Sequence, residues 1–173
     1  PQAAIESNVL YRPAEMLCGA NGCVSHDLVG WPQPEACEAS PVIGLLDAGI
    51  NPDHDAFAGQ QLEILDFEVM ERRPAGLTHG TAVAALLIGR QASRTPGLLP
   101  GAKLVAVDAF HTDGLGEASD AFSLVGALDL LAQRNVDVIN MSFAGPHSTV
   151  LERAITEIAA REIAMVAAVG NDG

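Results

Sequence analysis

Two short stretches of the chain carry residues that could share one piece of acid–base chemistry. In Val42-Ile43-Gly44-Leu45-Leu46-Asp47-Ala48-Gly49-Ile50 an aliphatic run ends on a carboxylate, and in Thr78-His79-Gly80-Thr81-Ala82-Val83-Ala84 an imidazole follows a hydroxyl residue. The first run, bounded by Pro41 and Gly49, reads as a strand buried on both faces with Asp47 at its carboxyl end. In the second, Thr78 is expected to cap a helix whose apolar positions Val83, Leu86 and Leu87 share one face and which Gly89 ends. His79 then lies in the first turn. In open α/β sheets the reactive crevice forms beyond the carboxyl ends of the parallel strands, so an Asp closing a strand and a His opening a helix can converge there. An Asp beside a His suits a carboxylate that orients a general base. Taken singly, Asp47 also reads as a turn residue and His79 as an ordinary surface histidine. Their combination points to a hydrolase, and the nucleophile that the pair would serve is in neither stretch.

The elements that must position this pair alternate along the chain. Strands are expected at 42–46, 61–66, 104–107, 136–141 and 163–169, and helices at 78–88, 119–133 and 149–161. That alternation is the pattern of an α/β fold with a doubly wound, mostly parallel sheet. Thr149 and Glu152 are expected to form a capping box, ahead of a buried stripe of Leu151, Ala154, Ile155 and Ile158. Asp137-Val138-Ile139-Asn140-Met141-Ser142-Phe143-Ala144-Gly145 runs from a strand into a glycine turn. Ala164-Met165-Val166-Ala167-Ala168-Val169-Gly170-Asn171 is another strand with an amide at its exit.

With these segments and Leu99-Pro100-Gly101-Ala102-Lys103-Leu104-Val105-Ala106-Val107 between them, the chain resembles the subtilisin-like serine proteases, the subtilase family. The likeness runs from Pro41 to Gly173, with the segments in the family's order. It implies a three-layer, subtilisin-like fold. The Asp of the family's Asp-Ser/Thr-Gly motif matches Asp47, with Ala48 in place of the small hydroxyl residue. The His of its His-Gly-Thr motif matches His79, which would take the proton from a serine hydroxyl. The Asn of its Ala-Gly-Asn segment matches Asn171, whose amide would help bind the oxyanion; these roles belong to the family, itself a type case of such triads. Gly114-Leu115-Gly116 looks like the family's edge segment, which pairs with an extended peptide by strand addition. Ser142-Phe143-Ala144 looks like the opposite wall, and with Ala168-Val169-Gly170 it would bound the pocket for the side chain before the scissile bond. On the residues alone, Gly114 and Gly116 also read as a surface turn.

The family's serine lies in a Gly-Thr-Ser motif downstream of Ala-Gly-Asn, and no Gly-Thr-Ser occurs among these 173 residues. Ser142 belongs to the substrate wall. A triad without its nucleophile forms no acyl intermediate. The expectation is the front portion of a serine endopeptidase, inactive alone and incomplete at its C-terminal side. A second polypeptide would carry the serine and the rest of the sheet. The alternative is a non-catalytic subtilase-like module that binds a partner or peptide through its open edge. A nucleotide-binding domain is disfavoured, because Gly44 to Gly49 is no phosphate loop and no Walker lysine is present.

Composition sets the context. The 173 residues are 49% hydrophobic but only 4% aromatic, so aliphatic packing must carry one ordinary core. A net charge of −13 argues against nucleic acid or an anionic membrane surface as partner, and no run approaches the length of a membrane span. A peptide or protein substrate is expected, together with export to the periplasm or beyond; the opening at Pro1, without an initiating Met, is expected to mean either that a leader has been removed or that the sequence starts inside a longer one. Residues 1–40 are expected to be an irregular extension ahead of the catalytic portion at 41–173; in family terms it would be the end of a propeptide or a strap. It holds all three cysteines, Cys18, Cys23 and Cys37. The first two are spaced for a small disulfide loop, zinc held with His26 is chemically possible, and free thiols remain open. No cofactor or metal is expected. In Asn51-Pro52-Asp53-His54-Asp55-Ala56-Phe57 the carboxylates could ligate calcium but read as a solvated turn.

Overall fold

The computed structural model describes residues 8–13, 40–67 and 73–170. Its centre is a five-stranded parallel sheet of β2 (Val42–Asp47), β3 (Gln61–Leu65), β4 (Lys103–Asp108), β7 (Val138–Met141) and β9 (Ala164–Ala167), in spatial order β3-β4-β2-β7-β9. The aliphatic runs of the central strands β2 and β4 form as they do because both faces are covered, which a helix-flanked parallel sheet provides. In β2 every residue from Ile43 to Asp47 is buried.

The faces of β2 divide the core in two. Ile43 and Leu45 point with Leu104 and Ala106 toward helix α1 (Thr78–Ile88), packing on Val83, Ala84 and Ile88. Leu46 points with Val105 and Val107 to the other side, against Leu124, Leu128 and Leu131 of helix α2 (Ala121–Ala132) and Leu151 and Ile158 of helix α3 (Thr149–Ala159). The result is three layers, helix, sheet, helix. Each fully buried leucine contributes about 1.5–3 kcal/mol, so these aliphatic layers fix the sheet without many aromatic rings.

Helix α1 has the expected bounds. Helix α2 starts later than 119, because Ser119 and Asp120 end a strand and the Asp120 carboxylate caps the helix, accepting from the Phe122 and Ser123 amides at 3.1 Å each. Helix α3 is capped by Ser148 rather than by Thr149: the Ser148 hydroxyl accepts from Leu151 N at 3.2 Å. With two hydroxyl residues adjacent, extended backbone at Ser148 decides which is the cap. Glu152 pairs instead with His147.

A second, four-stranded sheet lies at the carboxyl end of the first, in the order β5 (His111–Asp113), β6 (Gly116–Asp120), β1 (Leu10–Pro13), β8 (Phe143–Ala144). Within the stretch expected to be irregular, Leu10–Pro13 is thus a strand, antiparallel to both neighbours. Cys18, Cys23, His26 and Cys37 lie outside the described residues, as does Asn171. At the far edge of the parallel sheet, Ala164, Val166 and Ala167 of β9 are exposed. Among the described residues no helix is long and apolar enough to cross a membrane.

Candidate active site

Strands β2 and β4 end side by side on two carboxylates, Asp47 opposite Asp108 in the parallel register. Beyond them the chain turns through Ala48 and Gly49, and the first turn of α1 presses onto that turn. His79 Nδ1 lies 2.5 Å from Asp47 Oδ1, which also accepts from Ala48 N at 2.7 Å. With its Nδ1 proton facing the carboxylate, a neutral ring carries its lone pair on Nε2, the arrangement a general base requires. Asp47 is 2% exposed and its Oδ2 has no hydrogen-bond partner among the described residues. Burial pushes its carboxyl above the usual range, against the His79 hydrogen bond and charge and the Ala48 amide, which favour the anion.

The residues after His79 explain how the contact is held. A Cβ on Gly80 would stand 2.2 Å from Ala48 O and 2.7 Å from Gly49 O, so only glycine lets the helix approach this closely. The Thr81 hydroxyl donates to Leu77 O and accepts from Asn51 N at 2.8 Å, tying the helix start to the turn after β2. Thr78 is not the cap: it is already helical, Leu77 stands at the cap without a side-chain bond, and Thr81 does the tying.

A second carboxylate, Asp108, stands beside the pair at the end of β4. Burial pushes the Asp108 carboxyl up to about 6, opposed by the amide of Phe110, while Glu117 and Asp47 push it further up. Glu117 Oε1 accepts from Gly76 N at 2.8 Å. No group of three His, Cys, Asp or Glu among the described residues is arranged to hold a metal ion. In the segment considered for calcium, Asp55 pairs with Arg90 at 2.6 Å and Asn51 Oδ1 accepts from Asp53 N.

The other residues singled out in the sequence fall into two groups. Ser142, Phe143 and Ala144 continue from the end of β7, whose Met141 is in register with Leu46, so they leave the sheet beside Asp47. The Ser142 hydroxyl accepts from Asn140 Nδ2 at 2.8 Å. Ala168 N donates to Met141 O at 3.1 Å, and a Cβ on Gly170 (φ 92°) would be 3.2 Å from Ala144 Cβ, so 142–144 and 168–170 run side by side. Gly114 and Leu115, by contrast, form the exposed tip of the β5–β6 hairpin, with Leu115 N donating to Asp113 Oδ1 at 2.7 Å, and Gly116 (φ 128°) opens β6. The residues of β6 that pair with a neighbouring strand outside the hairpin are Ser119 and Asp120. Sequence reasoning passed over Asp108 and the strand at Leu10–Pro13. A carboxylate closing the second aliphatic run, Leu104 to Val107, was the available signal for Asp108.

Comparison with known proteins agrees with this architecture. The chain is 31% identical over 132 residues to the subtilase-type proteinase psp3 of Schizosaccharomyces pombe, covering 74% of this chain and 28% of that protein. It is 31% identical over 138 residues to subtilisin E of Bacillus subtilis, covering 76% and 34%. The chain therefore spans about a third of these relatives' length. The solved prenylagaramide maturation protease PagA superposes with a TM-score of 0.64 at 27% identity, over 76% of this chain and 46% of that one. Residues 38–173 match the subtilase family as a whole. With its parallel sheet, its Asp and His motifs in contact and nearly four-fifths of its length matched, the chain belongs to the subtilase family of subtilisin-type serine proteases.

Proposed function

We propose that this chain supplies the Asp, the His and the oxyanion Asn of a serine endopeptidase that hydrolyses peptide bonds. Asp47 orients and stabilises the imidazole, His79 takes the proton from the serine hydroxyl and returns it to the leaving amine, and Asn171 donates its amide to the tetrahedral oxyanion. The serine lies on a segment outside these 173 residues, on the same polypeptide or a second chain. Ser142, Phe143 and Ala144 with Ala168, Val169 and Gly170 line the substrate side, and Gly114, Leu115 and Gly116 form the edge segment that pairs with an extended peptide by strand addition. The observation that carries this reading is the 2.5 Å contact between His79 Nδ1 and Asp47 Oδ1 at the carboxyl end of the sheet. Action outside the cytoplasm belongs to the same reading, and cell fractionation tests it.

Fluorophosphonate labelling of the protein assembled with its serine-bearing segment tests the chemistry. Labelling is expected, and His79→Ala abolishes it while the circular dichroism spectrum stays native. Absence of labelling in an assembled, folded protein overturns catalysis by serine. Loss of fold in the variant assigns His79 a structural role instead.

A further inference from the structure

Of the two carboxylates that close β2 and β4, Asp47 bonds the imidazole and Asp108 stands next to it. The two residues are opposite each other in a parallel strand pair, whose backbones lie about 4.8 Å apart. They also share a face. Leu45 and Ala106, two residues earlier on the two strands, both pack toward α1, and side chains alternate along a strand. A Cβ on Gly49 would stand 3.1 Å from Asp108 Oδ2 and 2.7 Å from Leu77 Cδ2. The second carboxylate therefore lies against the turn that follows Asp47, close to where Leu77 leads into α1. Its other oxygen is fixed, since Oδ1 accepts from Phe110 N at 3.1 Å.

The surroundings of Asp108 leave its charge uncompensated. Asp47 faces it from β2 and Glu117 from β6, both acidic, and Glu117 is itself held by the Gly76 amide. From β3, Asp66 follows Leu65, which is level with Val107, and is exposed. His111 of β5 acts on Asp113, and Arg73, on the segment leading into α1, is exposed. Among the described residues no lysine or arginine forms an ion pair with Asp47, Asp108 or Glu117. The group that can answer this negative charge is the His79 ring, 2.5 Å from Asp47 Oδ1. Water is largely kept away, with the His79 side chain 13% exposed and that of Asp47 2%, so a charge next door acts more strongly than one on the open surface. Pushed up to about 6, the Asp108 carboxyl is ionised at neutral pH and takes up its proton in mild acid.

We infer that Asp108 is a positioning residue for the Asp47–His79 pair: its negative charge, acting across the Asp47 carboxylate, raises the proton affinity of the His79 ring and stabilises the imidazolium that forms when Nε2 takes the serine proton. The inference rests on the peptidase reading for that last consequence. The coupling between carboxylate and ring needs no nucleophile. As Asp108 takes up its own proton the ring's proton affinity falls, so the two groups together titrate over a broader range than a single imidazole.

The test is an NMR titration of the His79 ring in the full chain, wild type against Asp108→Asn, whose side-chain oxygen can still accept from Phe110 N. The His79 midpoint is expected to fall by about 0.5–1 pH unit. Asp66→Asn removes the same charge from the surface and should move it by less than about 0.2. Asp108→Glu keeps the charge and should return the midpoint toward the wild-type value. At about 0.5 M salt the Asp108 effect should persist, as expected for a partly buried charge. Should Asp108→Asn fail to fold, the wild type answers alone: coupling is reciprocal, so the Asp108 carboxyl carbon should show a second inflection at the His79 midpoint. An unmoved His79 midpoint in a folded Asp108→Asn chain, equal shifts for Asp66→Asn and Asp108→Asn, or an Asp108 carboxyl without the second inflection overturns the inference. In the protein assembled with its serine-bearing segment, Asp108→Asn should move the acid limb of kcat/KM by the same amount and lower kcat about two- to fivefold. A shifted midpoint in an assembled protein that fluorophosphonate never labels would remove the peptidase reading and leave the coupling. Labelling with an unmoved midpoint would do the reverse.

Discussion

Replacing Asp108 with Asn should stabilise the chain at neutral pH and leave it unchanged in acid. In the folded protein the Asp108 carboxyl is pushed up to about 6 from an ordinary 3.8, first by burial and then by Glu117 and Asp47. The folded state thus binds its proton more tightly than the unfolded state does. Stability from this group is fully present below about pH 3.8, declines as pH rises and is gone above about pH 6. At about 1.36 kcal/mol per pH unit that gap is worth at most about 3 kcal/mol, and the side chain's residual contact with water reduces it to about 1.5 kcal/mol. Asparagine removes the charge and can still accept from Phe110 N, the bond that Asp108 Oδ1 makes at 3.1 Å. Asp47, raised in the same direction, is common to both proteins. Urea denaturation of the two proteins across the acid and neutral ranges should give stabilities that converge as pH falls below about 3.8 and diverge by about 1.5 kcal/mol near pH 8. A difference independent of pH, or an Asn protein less stable near pH 8, would refute the assignment of burial as the dominant cause.

Gly80→Ala should cost more than an ordinary overpacking change of about 1–3 kcal/mol, because the new methyl meets main-chain oxygens that cannot rotate away; chemical denaturation measures it, and a change under about 0.5 kcal/mol would contradict the close approach. In the same variant the His79 ring resonances should move in NMR spectra, since the shift of α1 lengthens its contact with Asp47. Ser148→Ala should cost about 1 kcal/mol through loss of the α3 cap, and an unchanged midpoint would return that role to Thr149.

The aliphatic runs and the α1 pattern were readable because each element's burial is written in consecutive residues: β2 and α1 begin where Pro41 and Thr78 suggested. Asp47 and His79 were readable as a pair for the same reason, since both sit at the end of an unambiguous element. The strand β1 was not. Leu-Tyr-Arg-Pro has no alternation over a usable length, contains a proline, and owes its conformation to Ser119, Asp120, Phe143 and Ala144, all far away in sequence. The hairpin around Gly114 and Leu115 was blurred similarly, because two glycines two residues apart mark a turn without saying which flank pairs with what. The choice between Ser148 and Thr149 depended on a single backbone torsion that composition does not encode.

The fit of Gly80 against Ala48 O means that residue 48 is read by its main chain. Its amide holds the aspartate, its carbonyl meets the helix, and its methyl lies buried at 1% exposure. An alanine where the family motif carries a hydroxyl therefore leaves intact every contact described for the pair. Exchange of a methyl for a small hydroxyl at this position and the exclusion of any side chain at residue 80 both follow from contacts made by the main chain.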